Sequence, residues 1–148
     1  MVAAKTLCFV VSASICLWAC APATLDDLRS NPGTALEFDT LARPRTVYLE
    51  EIEMFKKCME YSLNRWDYMT IEPTFDGGTK TATIPWVAEG EQSPRFWGVV
   101  DIAPAEDGSH VRTFTAPYPD VPAFGRRVKE WADGSKDCGR EWTAPWTR

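Results

Sequence analysis

The sequence predicts an α+β domain: an N-terminal helix, a four-stranded antiparallel β-meander and a C-terminal helix, with both helices on one face of the sheet. Two observations predict this class. Apolar residues recur every three or four positions in two stretches, and between these stretches they alternate with polar residues at period two. The connections between the alternating stretches are short, which favours antiparallel neighbours. One domain of this kind is expected over residues 46–138 of the 148-residue chain.

The first helix is predicted from about Arg45 to Asn64. Its apolar face follows helical spacing through Tyr48, Ile52, Phe55, Met59 and Ser62. Cys58 lies beside this face. The acidic residues of the same stretch are interpreted as the solvated side of the helix: Glu50, Glu51, Glu53 and Glu60.

Four strands are predicted next, because β-branched and aromatic residues alternate there between turn signals. The strands are Trp66–Phe75, Thr79–Ala88, Arg95–Ala103 and His110–Ala116. Asp76-Gly77-Gly78 is typical of a hairpin between the first two strands. Pro85 lies inside the second strand and has no N–H group to donate, so it predicts an edge position or a bulge.

A closing helix is predicted from about Val121 to Ala132. Its apolar face carries Phe124, Val128 and Trp131. If both helices cover one face of the sheet, Cys58 and Cys138 meet near the helix ends. Residues 139–148 are predicted to form a C-terminal tail that contains two further tryptophans.

Residues 1–19 have the pattern of an export signal, with Lys5 at the start and an apolar core over Thr6–Trp18. The end of this segment, Leu17-Trp18-Ala19-Cys20, resembles the lipobox of bacterial lipoproteins. The resemblance implies that Cys20 becomes the diacylated first residue of the mature chain. Because Ala21 rather than Asp follows Cys20, it also implies a lipid anchor in the outer membrane, with the domain facing the periplasm.

Two other interpretations of the N-terminus remain open. Ala21-Pro22-Ala23 is a small-x-small pattern, typical of a soluble secreted protein that is cut after Ala23. A transmembrane anchor is disfavoured because the apolar run is shorter than the roughly 18 residues that a bilayer requires. Residues 20–45 contain several prolines and little periodicity, so they are predicted to be a tether between the lipid and the domain.

Charge and composition exclude some partners. Residues 1–19 contain a single charged residue, Lys5, so the remaining chain has 15 basic and 21 acidic residues and a formal charge of −6. An acidic domain without a long basic run is a poor candidate for nucleic acid or for anionic lipid headgroups. The short basic cluster Arg126-Arg127-x-Lys129 is interpreted as the solvated face of the closing helix.

Two of the five cysteines, Cys58 and Cys138, remain after the signal and Cys20 are set aside. An oxidising compartment favours a disulfide between them, across a loop of about 80 residues. Two buried free thiols or a redox pair are the alternatives, although the chain contains no Cys-x-x-Cys. Two cysteines and one distant histidine form no recognisable ligand set, so neither a metal nor another cofactor is expected.

No catalytic motif is present in the sequence. His110 is the single histidine, and no serine or cysteine motif marks a nucleophile for it, so we interpret it as a half-exposed strand residue. Phosphate-binding loops and the motifs of serine hydrolases and zinc peptidases are also missing. The sequence therefore predicts a protein that is not an enzyme, with a hydrolase that uses His110 as the disfavoured alternative.

Aromatic residues are the remaining candidates for binding. If Phe96, Val100 and Ile102 face the helices, Trp97 points to the opposite face of the sheet. Together with Trp66 and Tyr68 it would form an aromatic platform for a sugar or a protein partner. Ordinary surface aromatics, or packing of the tail tryptophans over this face, are the plainer interpretation.

The order of a lipobox, a proline-containing tether, a helix with a cysteine, a β-meander and a later cysteine resembles a loose group of uncharacterised small lipoproteins from Gram-negative bacteria. The resemblance implies an envelope location and a compact α+β domain. We therefore expect a non-catalytic envelope accessory or interaction module with an envelope protein or a glycan as partner. A binding module for peptidoglycan fragments and a secreted inhibitor are the alternatives, and an open sheet edge leaves pairing with a second copy possible.

Overall fold

The computed structural model describes residues 22–62, 68–90, 95–117 and 123–139, without the side chains of residues 61 and 62. The predicted signal, Cys20 and residues 140–148 of the predicted tail lie outside this part of the chain. Within it, the chain forms three helices and one antiparallel sheet of seven strands. The predicted α+β class is therefore confirmed.

The helices are α1 (Leu25–Ser30), α2 (Pro44–Cys58) and α3 (Phe124–Ala132). The strands are β1 (Thr34–Thr40), β2 (Tyr61–Ser62), β3 (Tyr68–Ile71), β4 (Thr74–Asp76), β5 (Thr81–Glu89), β6 (Arg95–Ala105) and β7 (Gly108–Thr115). Their spatial order is β1-β7-β6-β5-β3-β2, and β4 pairs with β5 beyond the end of β3. The consecutive strands β5, β6 and β7 are neighbours, as predicted.

The predicted four-stranded meander is wrong, because its first strand is split. Residues 66 and 67 lie outside the described residues, and the rest forms β3 and β4, separated by Glu72 and Pro73. This gap lies beside Pro85, whose carbonyl oxygen accepts a hydrogen bond from the Glu72 N–H group at 3.2 Å. Pro85 lies opposite Glu72, and Pro73 follows at the next position, so two residues without N–H groups lie close together where the ladder would need donors. The bulge expected near Pro85 occurs between Trp86 and Val87.

The predicted tether over residues 20–45 is wrong for residues 25–40, which belong to the folded domain. The side chain of Leu28 in α1 is fully buried in the core. β1 pairs with β7 along its whole length, from Thr34 opposite Thr115 to Thr40 opposite Ser109. The alternation of residues 34–40 gives this segment a strand pattern that the prolines around it obscure.

Helices α2 and α3 pack together on one face of the sheet. The Phe55 ring of α2 contacts the rings of Phe124 and Trp131 in α3, with centroids 5.9 and 5.6 Å apart. Phe124 in turn stacks on Trp86 of β5 at 6.0 Å. A Cβ atom at Gly98 would lie 2.8 Å from the Phe124 ring, so glycine at this position admits the stack.

The predicted two-helix arrangement is incomplete, because α1 covers part of the opposite face. Gly98 faces α3, and residues alternate along β6, so Asp101 points away from α3. Arg29 of α1 donates two hydrogen bonds to the Asp101 carboxylate, from Nε at 2.8 Å and from Nη2 at 2.7 Å. These bonds raise the pKa of the Arg29 guanidinium above its usual value.

The predicted disulfide between Cys58 and Cys138 is confirmed, with a Cα–Cα distance of 5.3 Å. Cys58 is the last residue of α2, and Cys138 lies in the segment that returns after α3. That segment is held by a hydrogen bond from Trp131 Nε1 to the Asp137 carbonyl oxygen at 2.8 Å. It passes close to Arg127, which is only 8% exposed and pairs with Glu130. The interpretation of Arg127 as a solvated residue is therefore wrong.

The contact between Arg29 and Asp101 gives a direct test of whether α1 belongs to the domain. We expect a double-mutant cycle of Arg29→Met and Asp101→Asn to give a coupling free energy of about 1 kcal/mol in urea unfolding, because the bidentate pair is partly shielded from water. Asp26 lies 3.5 Å from Arg29 and is 96% exposed, so the cycle of Arg29→Met with Asp26→Asn is the matched control. Equal coupling in the two cycles would contradict the packing of α1.

Candidate functional site

A groove opens at the start of α2, with a volume of about 620 Å³. Three segments form it: the start of α2, the β4–β5 turn and the β6–β7 turn. We call it the basic groove and define it by Arg43, Pro44, Arg45, Phe75, Gly77, Lys80, Pro104, Ala105, Glu106 and Gly108. Its residues come from three separate stretches of the sequence, so no local motif predicts it.

The start of α2 places two arginines at the basic groove. Pro44 is the first helical residue, where its fixed φ suits the helix and its missing N–H group is no loss. Arg43 and Arg45 flank it, and both side chains are exposed. The Arg43 side chain makes no capping hydrogen bond, so its guanidinium is not used by the helix.

The β4–β5 turn places Lys80 on the other side of the basic groove. Asp76 organises this turn, because its Oδ1 accepts hydrogen bonds from the N–H groups of Gly78 at 2.8 Å and Thr79 at 3.3 Å. These bonds favour the charged carboxylate and lower the pKa of Asp76. Lys80 closes the turn with φ of 57°, in the left-handed region.

The β6–β7 turn is fixed to the segment before α2. Ser109 is buried, and its Oγ donates a hydrogen bond to the Ala42 carbonyl oxygen at 2.6 Å. Gly108 has φ of 146°, and a Cβ atom there would lie 2.0 Å from the Thr40 carbonyl oxygen. Glycine is therefore required at this close approach, and the wall that carries Glu106 is held in place.

Charge is unbalanced at the basic groove. Three cations line it against one carboxylate, Glu106. Across the described residues, other cations form ion pairs: Arg29 with Asp101, Arg127 with Glu130, Lys129 with Asp133, and Lys136 with Glu53. Within the same residues, no ion pair is formed by Arg43, Arg45 or Lys80.

His110 lies away from the basic groove, on the sheet face opposite α3. Its Nδ1 is 2.8 Å from Asp39 Oδ1, and its Nε2 is 3.6 Å from Glu37 Oε2. It lines a smaller cavity of about 230 Å³ together with Arg29 and Asp101. In the described part of the chain no hydroxyl or thiol hydrogen-bonds the ring, so these contacts assign it no base role.

The predicted aromatic platform of Trp66, Tyr68 and Trp97 does not form as expected. Trp66 lies outside the described residues. Tyr68 is 44% exposed and donates a hydrogen bond to Glu89, which raises the pKa of its hydroxyl group. Its neighbour Met69 is buried in the core, so Tyr68 points to the opposite face of the sheet.

The predicted orientation of Trp97 is wrong. Its ring contacts Trp86 in a T-shaped arrangement at 6.1 Å, and Trp86 stacks on α3. The register shift beside Trp86 accounts for the orientation of Trp97. A bulge adds one residue to a strand, so a side chain can lie on the face that regular alternation would not predict. Trp97 is thus half-buried against the core, and it does not share a face with Tyr68.

Glu51 is the other functional candidate, and its interpretation as a solvated residue is wrong. It is 0% exposed and occupies the buried stripe of α2 with Val47, Met54 and Phe55. The helix is rotated relative to the predicted face, so Tyr48 and Ile52 are only half-buried.

Neither carboxyl oxygen of Glu51 has a hydrogen-bond partner among the described residues. Burial, and then the charge of Glu50, raise its pKa well above the usual value, although Lys136 opposes this shift.

No family model, curated protein or solved structure matches the chain. In the four described ranges, the side chains of His, Cys, Asp and Glu form no group of three that could hold a metal ion. Of the helices in these ranges, none is long and apolar enough to cross a membrane.

Proposed function

We propose that the protein is a non-catalytic lipoprotein of the bacterial envelope, anchored through Cys20 in the outer membrane and facing the periplasm as an interaction module. The observation that carries the proposal is the Cys58–Cys138 disulfide. Structural disulfides persist in oxidising compartments such as the periplasm. The bridge therefore agrees with the export signal and the lipobox-like end of that signal.

The beginning of the described chain supports an anchor close to the domain. The Pro22 carbonyl oxygen accepts a hydrogen bond from the Phe96 N–H group at 3.1 Å, at the first strand residues of β6. Only Ala21 separates Pro22 from Cys20. A lipid on Cys20 would thus hold the domain directly against the membrane, without the flexible spacer that a tether would provide.

The role as an interaction module is supported by the surface of the domain. The single histidine is engaged by two carboxylates and has no nucleophile beside it among the described residues. The basic groove, in contrast, is open and carries cations without ion-pair partners in that part of the chain. A preformed charged groove suits recognition of a partner or ligand.

The test is intact mass and membrane fractionation of the wild-type protein and a Cys20→Ser variant in a Gram-negative host. We expect triacylated wild-type protein in the outer membrane, with a mass about 2 Da below that of the reduced chain because the bridge removes two hydrogens. The Cys20→Ser variant should lack the lipid. A soluble, unacylated product cut after Ala23 would contradict the proposal and favour a secreted protein.

A further inference from the structure

We infer that the basic groove is a binding site for a soluble ligand that bears a phosphate group. The three cations of the groove support this inference. Arg43, Arg45 and Lys80 approach the groove from two elements that are far apart in sequence, so local sequence bias does not explain their meeting. Guanidinium groups match phosphate oxygens through paired N–H donors, and an ammonium adds a point charge.

The floor of the basic groove is apolar. Phe75 is half-buried, and its ring is held by Tyr48, with centroids 5.3 Å apart. Pro44 and Pro104 also line the groove. An apolar floor below charged walls suits a ligand with a ring or carbon skeleton attached to the phosphate, and about 620 Å³ lies within the usual range of small-molecule sites.

The groove exists before any ligand binds. The bond from Ser109 to Ala42 fixes one wall, and the Asp76 bonds fix the turn that carries Lys80. Preorganised walls reduce the entropy that binding costs. The helix itself contributes little, because Pro44 lacks an N–H group and those of Thr46 and Val47 are bonded to the Arg43 carbonyl oxygen. Affinity must therefore come from the three cationic side chains.

The position of the groove indicates the source of the phosphate, and this step rests on the lipidation proposed above. Pro22 lies at the Phe96 end of β6, whereas Pro104 and Ala105 at the other end line the groove. Eight residue-to-residue steps of strand lead from Phe96 to Pro104, which is about 26 Å. A domain held at Cys20 thus opens its groove away from the membrane that anchors it. A soluble phosphate ester fits this geometry better than the headgroups of that membrane.

The experiment is amide NMR titration of the purified full-length protein in a maltoside detergent. The probes are inorganic pyrophosphate, glycerol 3-phosphate, sodium acetate, and detergent micelles doped with phosphatidylglycerol. We expect the two soluble phosphates to shift the amides of Arg45, Lys80 and Glu106. Arg43→Gln/Arg45→Gln should raise the Kd for pyrophosphate at least about tenfold, since hydrogen bonds to charged groups are lost.

The matched control is Arg112→Gln. It removes an exposed cation that lies over the Phe114 ring, on the sheet face opposite α3 and outside the basic groove. It should change the Kd by less than about twofold. No shift at the groove, equal shifts with acetate, shifts with phosphatidylglycerol alone, or unchanged binding by the double variant would each overturn the inference. Unacylated protein in the mass measurement would contradict the statement that the phosphate comes from a soluble ligand rather than from the anchoring membrane. Phosphate binding at the groove is tested separately, by the titration.

Discussion

Removal of the Cys58–Cys138 disulfide should lower the free energy of unfolding by about 4.5 kcal/mol, from the entropy of a loop of 80 residues in the unfolded chain. We expect this result for the double variant Cys58→Ala/Cys138→Ala in urea unfolding near neutral pH. The loss approaches the whole stability of a small domain, so the variant should be partly unfolded without denaturant. The bridge joins the end of α2 to the segment after α3, and both elements supply core aromatics.

Reduced wild-type protein is the control for this prediction, because it retains both sulfur atoms but not the bond. Its unfolding curve should agree with that of the double variant. The urea dependence of the free energy should also become steeper in both, since an unfolded chain without the cross-link exposes more surface. A loss below about 1 kcal/mol would contradict the loop-entropy argument and indicate residual structure in the unfolded chain.

Replacement of Glu51 by methionine should raise the free energy of unfolding by about 1–3 kcal/mol at pH 7, because a buried carboxyl group without hydrogen-bond partners is costly. Methionine has similar length and adapts to irregular core space. The position is surrounded on its own helix by the buried residues Val47, Met54 and Phe55. An apolar side chain therefore completes a stripe that glutamate interrupts.

The advantage of Glu51→Met should depend on pH in a definite direction. The folded-state pKa of Glu51 is raised above its unfolded value. The contribution of Glu51 to the free energy of unfolding is therefore largest below about pH 4.3, where glutamate is protonated in the unfolded chain as well. As pH rises above this value the unfolded state ionises and the folded state does not, so wild-type stability falls until the folded pKa is passed. The difference in free energy of unfolding between Glu51→Met and the wild type should increase between these two pKa values and be constant above them.

Glu53→Met is the matched control, because Glu53 is on the same helix, 67% exposed, and 3.7 Å from Lys136. Its effect at pH 7 should stay within about 0.5 kcal/mol, because an exposed ion pair contributes little to stability. Urea unfolding of the three proteins between pH 4 and pH 9 measures both effects. A Glu51→Met variant that is less stable than the wild type at pH 7 would contradict the prediction. It would show that the Glu51 carboxyl group makes a stabilising hydrogen bond or ion pair.

Much of the fold follows from periodicity. The period-two stretches predict β5, β6 and β7 to within a few residues, and the cysteine count predicts the disulfide. Periodicity does not predict β1, because its alternation lies between Pro32-Gly33 and Pro44, where the prolines indicate a loop. Its place in the sheet depends on pairing with β7, whose paired residues lie 69 to 81 positions away, and such long-range pairing has no local signal.

The candidate site was harder to predict than the fold. Glu51 looks like any helical glutamate in sequence, and only the rotation of α2 against the sheet places it inside. Regular alternation predicts the wrong face for Trp97, because a bulge interrupts the strand pairing beside it. Arg43, Arg45 and Lys80 form no motif, and their proximity comes from turns that meet in space.

The disulfide also determines how the protein would respond to mechanical force. A pull applied between Pro22 and Gly139 cannot extend the loop between Cys58 and Cys138, because both points lie outside the loop and the bond carries the load across it. Only the segment from Pro22 to Cys58 can be extended, and its 36 residue-to-residue steps span about 120 Å. Full extension requires both detachment of β1 from β7 and unfolding of α2, and the disulfide then prevents any further extension.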